Sequence, residues 1–205
     1  MSRQLAVVGF LVCALAWEAQ ADPFMIGGVN YAPVGPTETL SASFELATGA
    51  STLGTYSGLI QVVVSDVGFS LGPRLNDAFY VFTGGPVFHE GNYYQLRYDD
   101  APMTPFDATK DAKYSLVYDI DAGLAVTPPY VPAYRPDHVY SFILDTGNAA
   151  ATTLWFGVSN GNFMDNGGSY TVEITQLAAV PEPCTLALLG AGALVVAVRR
   201  RRRQA

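Results

Sequence analysis

The residues of this chain best placed to do chemistry lie in one stretch, 154–172. Within it, Gly157-Val158-Ser159-Asn160-Gly161 has the Gly-x-Ser-x-Gly spacing that lifts a serine nucleophile onto a sharp strand-to-helix turn. Such a serine needs a helix behind it and a histidine later in the chain to take its proton. Here Asn162–Gly168 has turn composition, and the only histidines, His89 and His138, both precede Ser159. The two cysteines, Cys13 and Cys184, sit in apolar runs at opposite ends of the chain. Neither thiol catalysis nor a thiolate zinc site is therefore open to the middle. Asp99-Asp100 pairs two carboxylates, but neighbours on a strand point to opposite faces. His89-Glu90 and Asp137-His138 are isolated pairs and read as solvated loop residues. No catalytic site is expected, and the chain is not read as an enzyme.

The same stretch reads as strand, oxygen-rich loop, strand. Asn160, Asn162, Asp165 and Asn166 offer side-chain oxygens of the hard kind that Ca2+ takes, although that ion wants several carboxylates in its shell. Residues 154–174 resemble the last hairpin of calcium-dependent galactose-binding lectin sandwiches of bacteria. The resemblance implies Asp165 and Asn166 in the places of the paired ligands, with Asn162 near a side-chain oxygen ligand. Asn160 stands where that family has an acid, and the loop here is shorter. Asn, Asp and Gly also suit a plain hairpin turn. Tyr93, Tyr130, Tyr134 and Trp155 carry rings that can stack on pyranose faces or pack as ordinary strand residues. Calcium and a carbohydrate such as exopolysaccharide are thus the ligand classes to expect of the body. A structural matrix protein with no small ligand is the alternative.

The elements that must position these residues are strands. Leu40, Ala42, Phe44 and Leu46 alternate with polar residues, as do Tyr114, Leu116, Tyr118 and Ile120, and again Tyr170, Val172 and Ile174. Leu59–Val64, Ala78–Phe82 and Val139–Leu144 are apolar on both faces and read as central strands. Leu154–Val158 and Tyr93–Tyr98 complete a set of about eight or nine. Turn formers separate them at Gly84-Gly85-Pro86, Glu90-Gly91-Asn92, Asp145–Asn148 and Asn166-Gly167-Gly168. The Pro-rich segments Tyr31–Pro36 and Thr127–Pro136 are expected as loops. Residues 22–178 are accordingly predicted to form one all-β domain, an antiparallel β-sandwich of jelly-roll type.

Both ends have a different grammar. Arg3, the apolar run Leu5–Trp17 and Ala19-Gln20-Ala21 make the three parts of a secretory signal, so residues 1–21 should be removed by signal peptidase before Asp22. At the other end, residues 179–205 hold Pro181-Glu182-Pro183, the apolar run Cys184–Val198 and the cluster Arg199, Arg200, Arg201, Arg202 and Arg203. As a helix the run would be about 22 Å long, short for a bilayer core of about 30 Å, though the arginines can snorkel. Dense positive charge stays cytoplasmic, which places the body outside the inner membrane, in agreement with the signal. Pro181 and Pro183 mark where that transmembrane helix begins. Cys184 is a small hydrophobe there, or a thiol open to acylation. These residues closely resemble the PEP-CTERM sorting signal, whose pattern is Pro-Glu-Pro, a short apolar helix and a terminal arginine cluster. The resemblance implies recognition by exosortase, a membrane transpeptidase-like enzyme of Gram-negative bacteria that make exopolysaccharide.

Charge separates the regions in the same way. The formal net charge is -7, yet the body holds only Arg74, Arg97, Lys110, Lys113 and Arg135 as cations, and most of the rest form the terminal cluster. An acidic body is repelled by phosphates, so nucleic acid is not an expected partner. Half of the residues are hydrophobic, enough to build a core without disulfides.

Overall fold

The computed structural model describes residues 23–70, 74–82, 86–87, 96–102, 111–158, 163–164 and 166–181. Among them the regular structure is nearly all strand: β1 (Phe24–Ile26), β2 (Val29–Ser43), β3 (Ala50–Ser51), β4 (Leu59–Ser65), β5 (Gly68–Ser70), β6 (Arg74–Asn76), β7 (Val81–Phe82), β8 (Pro86–Val87), β9 (Leu96–Asp99), β10 (Leu116–Asp119), β11 (Leu124–Ala125), β12 (Tyr140–Asp145), β13 (Trp155–Val158) and β14 (Ser169–Ala179). One 3-10 turn, Ala112–Tyr114, is the sole helical element among the described residues. The strands form a seven-stranded sheet in the order β1-β2-β14-β4-β12-β10-β11, a three-stranded sheet β3-β13-β9 and a four-stranded ribbon β5-β6-β7-β8. Every pairing is antiparallel.

Period-2 patterning decides which face is inside. Ile60, Val62 and Val64 of β4, Phe142 and Leu144 of β12, and Tyr170, Val172 and Ile174 of β14 are all at or near zero exposure. They form one cluster with Leu96 and Tyr98 of β9 and Phe156 and Val158 of β13. Two antiparallel sheets thus share a single core, as in sandwich and barrel-like folds. Each such buried side chain contributes about 1.5–3 kcal/mol, and no disulfide is needed. The opposite face of the large sheet is not bare, since Ile143, which alternates with Phe142 and Leu144, is fully buried too. The rings of Phe24 and Tyr118 meet at 5.8 Å although four strands separate β1 from β10. A flat sheet would hold those strands about 24 Å apart, so this one curls until its two ends touch.

Four expectations are corrected. Tyr31–Pro36 is strand, part of β2, and not a loop. β1 stops opposite Tyr31, so beyond that residue one side of β2 is an open edge where proline forfeits no ladder bond. β2 itself bulges here, since Gly35 (φ 75), Pro36 and Thr37 face the single residue Thr175 between Ile174 and Gln176. Ala78–Phe82 is not a continuous strand, because Asp77 folds the chain into a turn: its backbone N–H donates to the Tyr80 carbonyl (3.0 Å) and its carboxylate accepts from Phe79 N and Tyr80 N. On β10 the inward residue is Asp119, 2% exposed, and not Tyr118. The register shift between Leu116 and Tyr118 reverses the alternation at Val117. Leu46 is 53% exposed, because β2 ends at Ser43 and Leu46 stands in the following turn.

Thr127–Pro136 is a loop as expected. The expected signal helix in 1–21 and the tail helix in 184–198 lie outside the described residues. Among the described residues no helix is long and apolar enough to cross a membrane.

Candidate functional site

At one end of the large sheet the fold runs directly into the tail. β14 pairs with β2 down to Ala179 opposite Tyr31, and Val180 N then donates to the Asn30 carbonyl at 2.7 Å. β1 and β2 close next to it through Gly27 (φ 60) and Gly28 (φ 82), both left-handed, as a two-residue type I′ turn requires. Met25 (62% exposed) and Val29 (41%) are bare on this hairpin. Of the motif residues, Pro181 is exposed just beyond the last sheet hydrogen bond. Glu182, Pro183 and Arg199–Arg203 lie outside the described residues, as do Ala19, Ala21 and Asp22 at the expected signal cleavage site.

A second site surrounds Asp77, which is wholly buried. Its Oδ1 accepts from Phe79 N (2.9 Å) and Tyr80 N (2.7 Å). Its Oδ2 accepts from the Tyr140 hydroxyl (2.8 Å) and meets His138 Nδ1 at 2.8 Å. Nδ1 is thus engaged with the carboxylate, and the second ring nitrogen, Nε2, takes no part in that bond. Burial, then the charge and hydrogen bond of Asp77, push the Tyr140 hydroxyl far above the usual tyrosine range. The His138 backbone is left-handed (φ 56), and its ring stacks on Phe82 at 4.5 Å and 10°. Tyr134 stands edge-on to both His138 and Tyr80. The Tyr80 hydroxyl donates to the Pro132 carbonyl, pinning the Thr127–Pro136 loop above the cluster. Asn76, as buried as its neighbour Asp77, finds no partner for its amide nitrogen or oxygen.

The arrangement groups an imidazole with half-buried aromatic rings on a fixed base. It can exchange a hydrogen bond with a hydroxyl and offer ring surface beside it. Among the described residues no group of three or more His, Cys, Asp or Glu side chains could hold a metal ion. Spacing alone suggested Asp137 beside His138, but Asp137 instead takes a two-pronged hydrogen bond from Arg135 (3.1 and 2.9 Å). Asp77 is 61 residues from His138 and was missed. Its signal was a carboxylate at the head of the apolar run 78–82. His89 and Glu90 lie outside the described residues.

Of the four proposed calcium ligands, Asn160, Asn162 and Asp165 lie outside the described residues. Asn166 is buried, and its amide nitrogen donates to the Phe44 carbonyl at 3.1 Å, tying the loop to the end of β2. Gly167 is stitched to Phe69 by two backbone hydrogen bonds of 2.9 Å. A Cβ at Gly167 would fall 2.1 Å from the tip of the Phe69 ring, so glycine lets that half-exposed ring lie directly over the loop. Of the expected sugar-stacking rings, Tyr93 lies outside the described residues, as does Ser159 of the Gly-x-Ser-x-Gly stretch, and Trp155 is half-buried on β13. The Tyr130 hydroxyl donates to Asp119 (2.8 Å), and burial with that carboxylate pushes it up to about 12. Tyr130 is therefore a brace for the buried Asp119, which leaves Tyr134 as the ring of that loop grouped with His138.

No curated protein and no solved structure matches the chain. Residues 179–203, beginning at the last residue of β14, match the family model of the PEP-CTERM protein-sorting motif, so the chain carries the signal of an exosortase-processed, surface-sorted protein.

Proposed function

We propose that this is an envelope protein that is exported, held briefly at the inner membrane by its tail and delivered to the cell surface, where its body contacts exopolysaccharide. Residues 1–21 are the leader removed by signal peptidase. Cys184–Val198 crosses the inner membrane with Arg199–Arg203 in the cytoplasm, and exosortase acts at Pro181-Glu182-Pro183. The carrying observation is the sorting motif match at 179–203, which starts where the sheet ends. Replacing Pro181, Glu182 and Pro183 together by alanine leaves the apolar run and the arginines intact. Full-length chain should then accumulate in the inner-membrane fraction, and unchanged release from the membrane would overturn the reading.

The body itself is a jelly-roll-like sandwich in a binding role without catalysis. Tyr134 and the half-buried imidazole of His138 favour a polyhydroxylated ligand over an extended apolar one. Calorimetry of the released protein against acidic polysaccharide and galactosides should give heat that Tyr134→Ala removes. Absence of heat for every sugar would leave a structural matrix protein.

A further inference from the structure

We propose that the tip of the β1–β2 hairpin is a membrane-contacting element, with Met25 and Val29 resting in the headgroup layer of the bilayer while the tail is inserted. This rests on the reading that Cys184–Val198 anchors the precursor. Chain length sets the geometry. Four peptide steps lead from Val180 to Cys184, a span of about 14 Å at most even if fully extended. Val180 is fixed level with Asn30 by its hydrogen bond, and Gly28 stands two residues further along β2 in the same direction, about 7 Å. With the linker fully extended the Gly27-Gly28 turn lies about 7 Å from the apolar core and Met25, paired with Asn30 and so level with Val180, about 14 Å; any linker short of full extension brings both nearer to the polar layer of the leaflet, which is about 5–7 Å thick.

The chemistry of the tip fits that place. Pro23–Thr37 holds no charged residue and no histidine, in a body that is otherwise acidic. The hairpin itself therefore adds no repulsion toward an anionic headgroup; the carboxylates nearest to it along the chain are those of Asp22 and of Glu182 in the linker. Phe24 turns its ring onto Tyr118, and Met25, next along the strand, takes the opposite face and is left bare. The type I′ turn makes the tip stiff, so it meets the membrane as a fixed foot beside the tail. The body is then held upright at two points and not by a single swivel.

The test uses the signal-cleaved chain, Asp22–Ala205, in phosphatidylcholine vesicles with and without lipids brominated near the headgroup end of the acyl chain. Met25→Trp adds one tryptophan at the tip. Leu53→Trp adds one at a side chain that is 95% exposed and held near Glu38, whose partner Ile174 is five residues along β14 from Ala179 opposite Tyr31, or about 17 Å away. Both positions are exposed, so neither change loads the core, and Trp155 gives a common background. Bromolipid should quench the added Met25→Trp emission about twofold, as for a side chain 5–10 Å into the interface, and leave Leu53→Trp unchanged. Chain that floats with the vesicles while Met25→Trp is unquenched would overturn the hairpin contact and keep the anchor. A shift of Met25→Trp emission that depends on protein concentration and not on bromolipid would mean a second copy covers the tip, which also overturns it. Chain that fails to float would overturn the anchor reading and this proposal with it.

Discussion

Along β2 and β14 the molecule is held by main-chain hydrogen bonds between strands, whereas around Asp77 a single carboxylate holds separate segments by side-chain bonds. The two regions distribute risk differently. A ladder shares its stability over many residues, none of which is individually decisive. The Asp77 node gathers four donors onto two oxygens at zero exposure, so each partner depends on one residue. A buried carboxylate is tolerable only when it is so saturated. The side-chain amide of Asn76 next to it is buried without a partner among the described residues, the condition that the Asp77 carboxylate avoids.

The strongest way to break this contrast is Asp77→Ala. It strands two amides, the Tyr140 hydroxyl and His138 Nδ1, and each unsatisfied group costs about 1–3 kcal/mol, so a loss of at least about 3 kcal/mol is expected. For a body of this size that lowers Tm by roughly 6–12 °C in a thermal melt. A melt unchanged by the substitution would show the node to be dispensable.

Glu38 sharpens the comparison from the ladder side. It sits on β2, where its carboxylate accepts from Leu53 N (2.5 Å), Gly54 N (2.9 Å) and the Tyr56 hydroxyl (2.9 Å). Partial burial raises its pKa, but those three donors outweigh it and hold the carboxyl below its ordinary 4.5. A lowered value means stability that is present above pH 4.5 and is lost as the pH falls through the folded value. Glu38→Gln should therefore flatten the acid limb of a stability-against-pH curve below pH 4.5, with a smaller effect at neutral pH than Asp77→Ala. An unchanged acid limb would remove Glu38 as a clamp.

The smallest effect is expected in the loop before β14. If Asp165 helps to hold Ca2+, saturating calcium stabilises the fold by about 2.7 kcal/mol at a hundredfold its dissociation constant. Melts in calcium and in chelator would then differ by a few degrees, a difference that Asp165→Ala abolishes and Glu173→Ala, on the exposed face of β14, does not. Coincident melts would leave a turn-rich hairpin without a metal, tied to Phe44 through Asn166.

What could be read from the chain was whatever is local. Tyr170, Val172 and Ile174 alternate with polar residues and are buried as the pattern requires. The sorting motif is linear, so no folding is needed to see it. Patterns failed where one residue changed the rule. The shift at Val117 exchanged Tyr118 for Asp119, and Asp77 converted an apolar run into a turn. The Asp77–His138 pair depends on β6, β7 and β12 being brought together, and no spacing in the sequence encodes that. Pro33 and Pro36 look like loop residues until β2 is known to have an open edge.

β14 is the last strand of the body, yet it lies between β2 and β4 in the large sheet. Under export from the N-terminus, β2 waits for a partner more than a hundred residues behind it. The sheet cannot close until Ser169–Ala179 has left the export channel, and by then residues 179–203 are the next to arrive. Folding is thereby timed to the delivery of the address. A chain broken anywhere before Ser169 loses its central strand and its sorting signal together, so an unfinished body is also an unaddressed one.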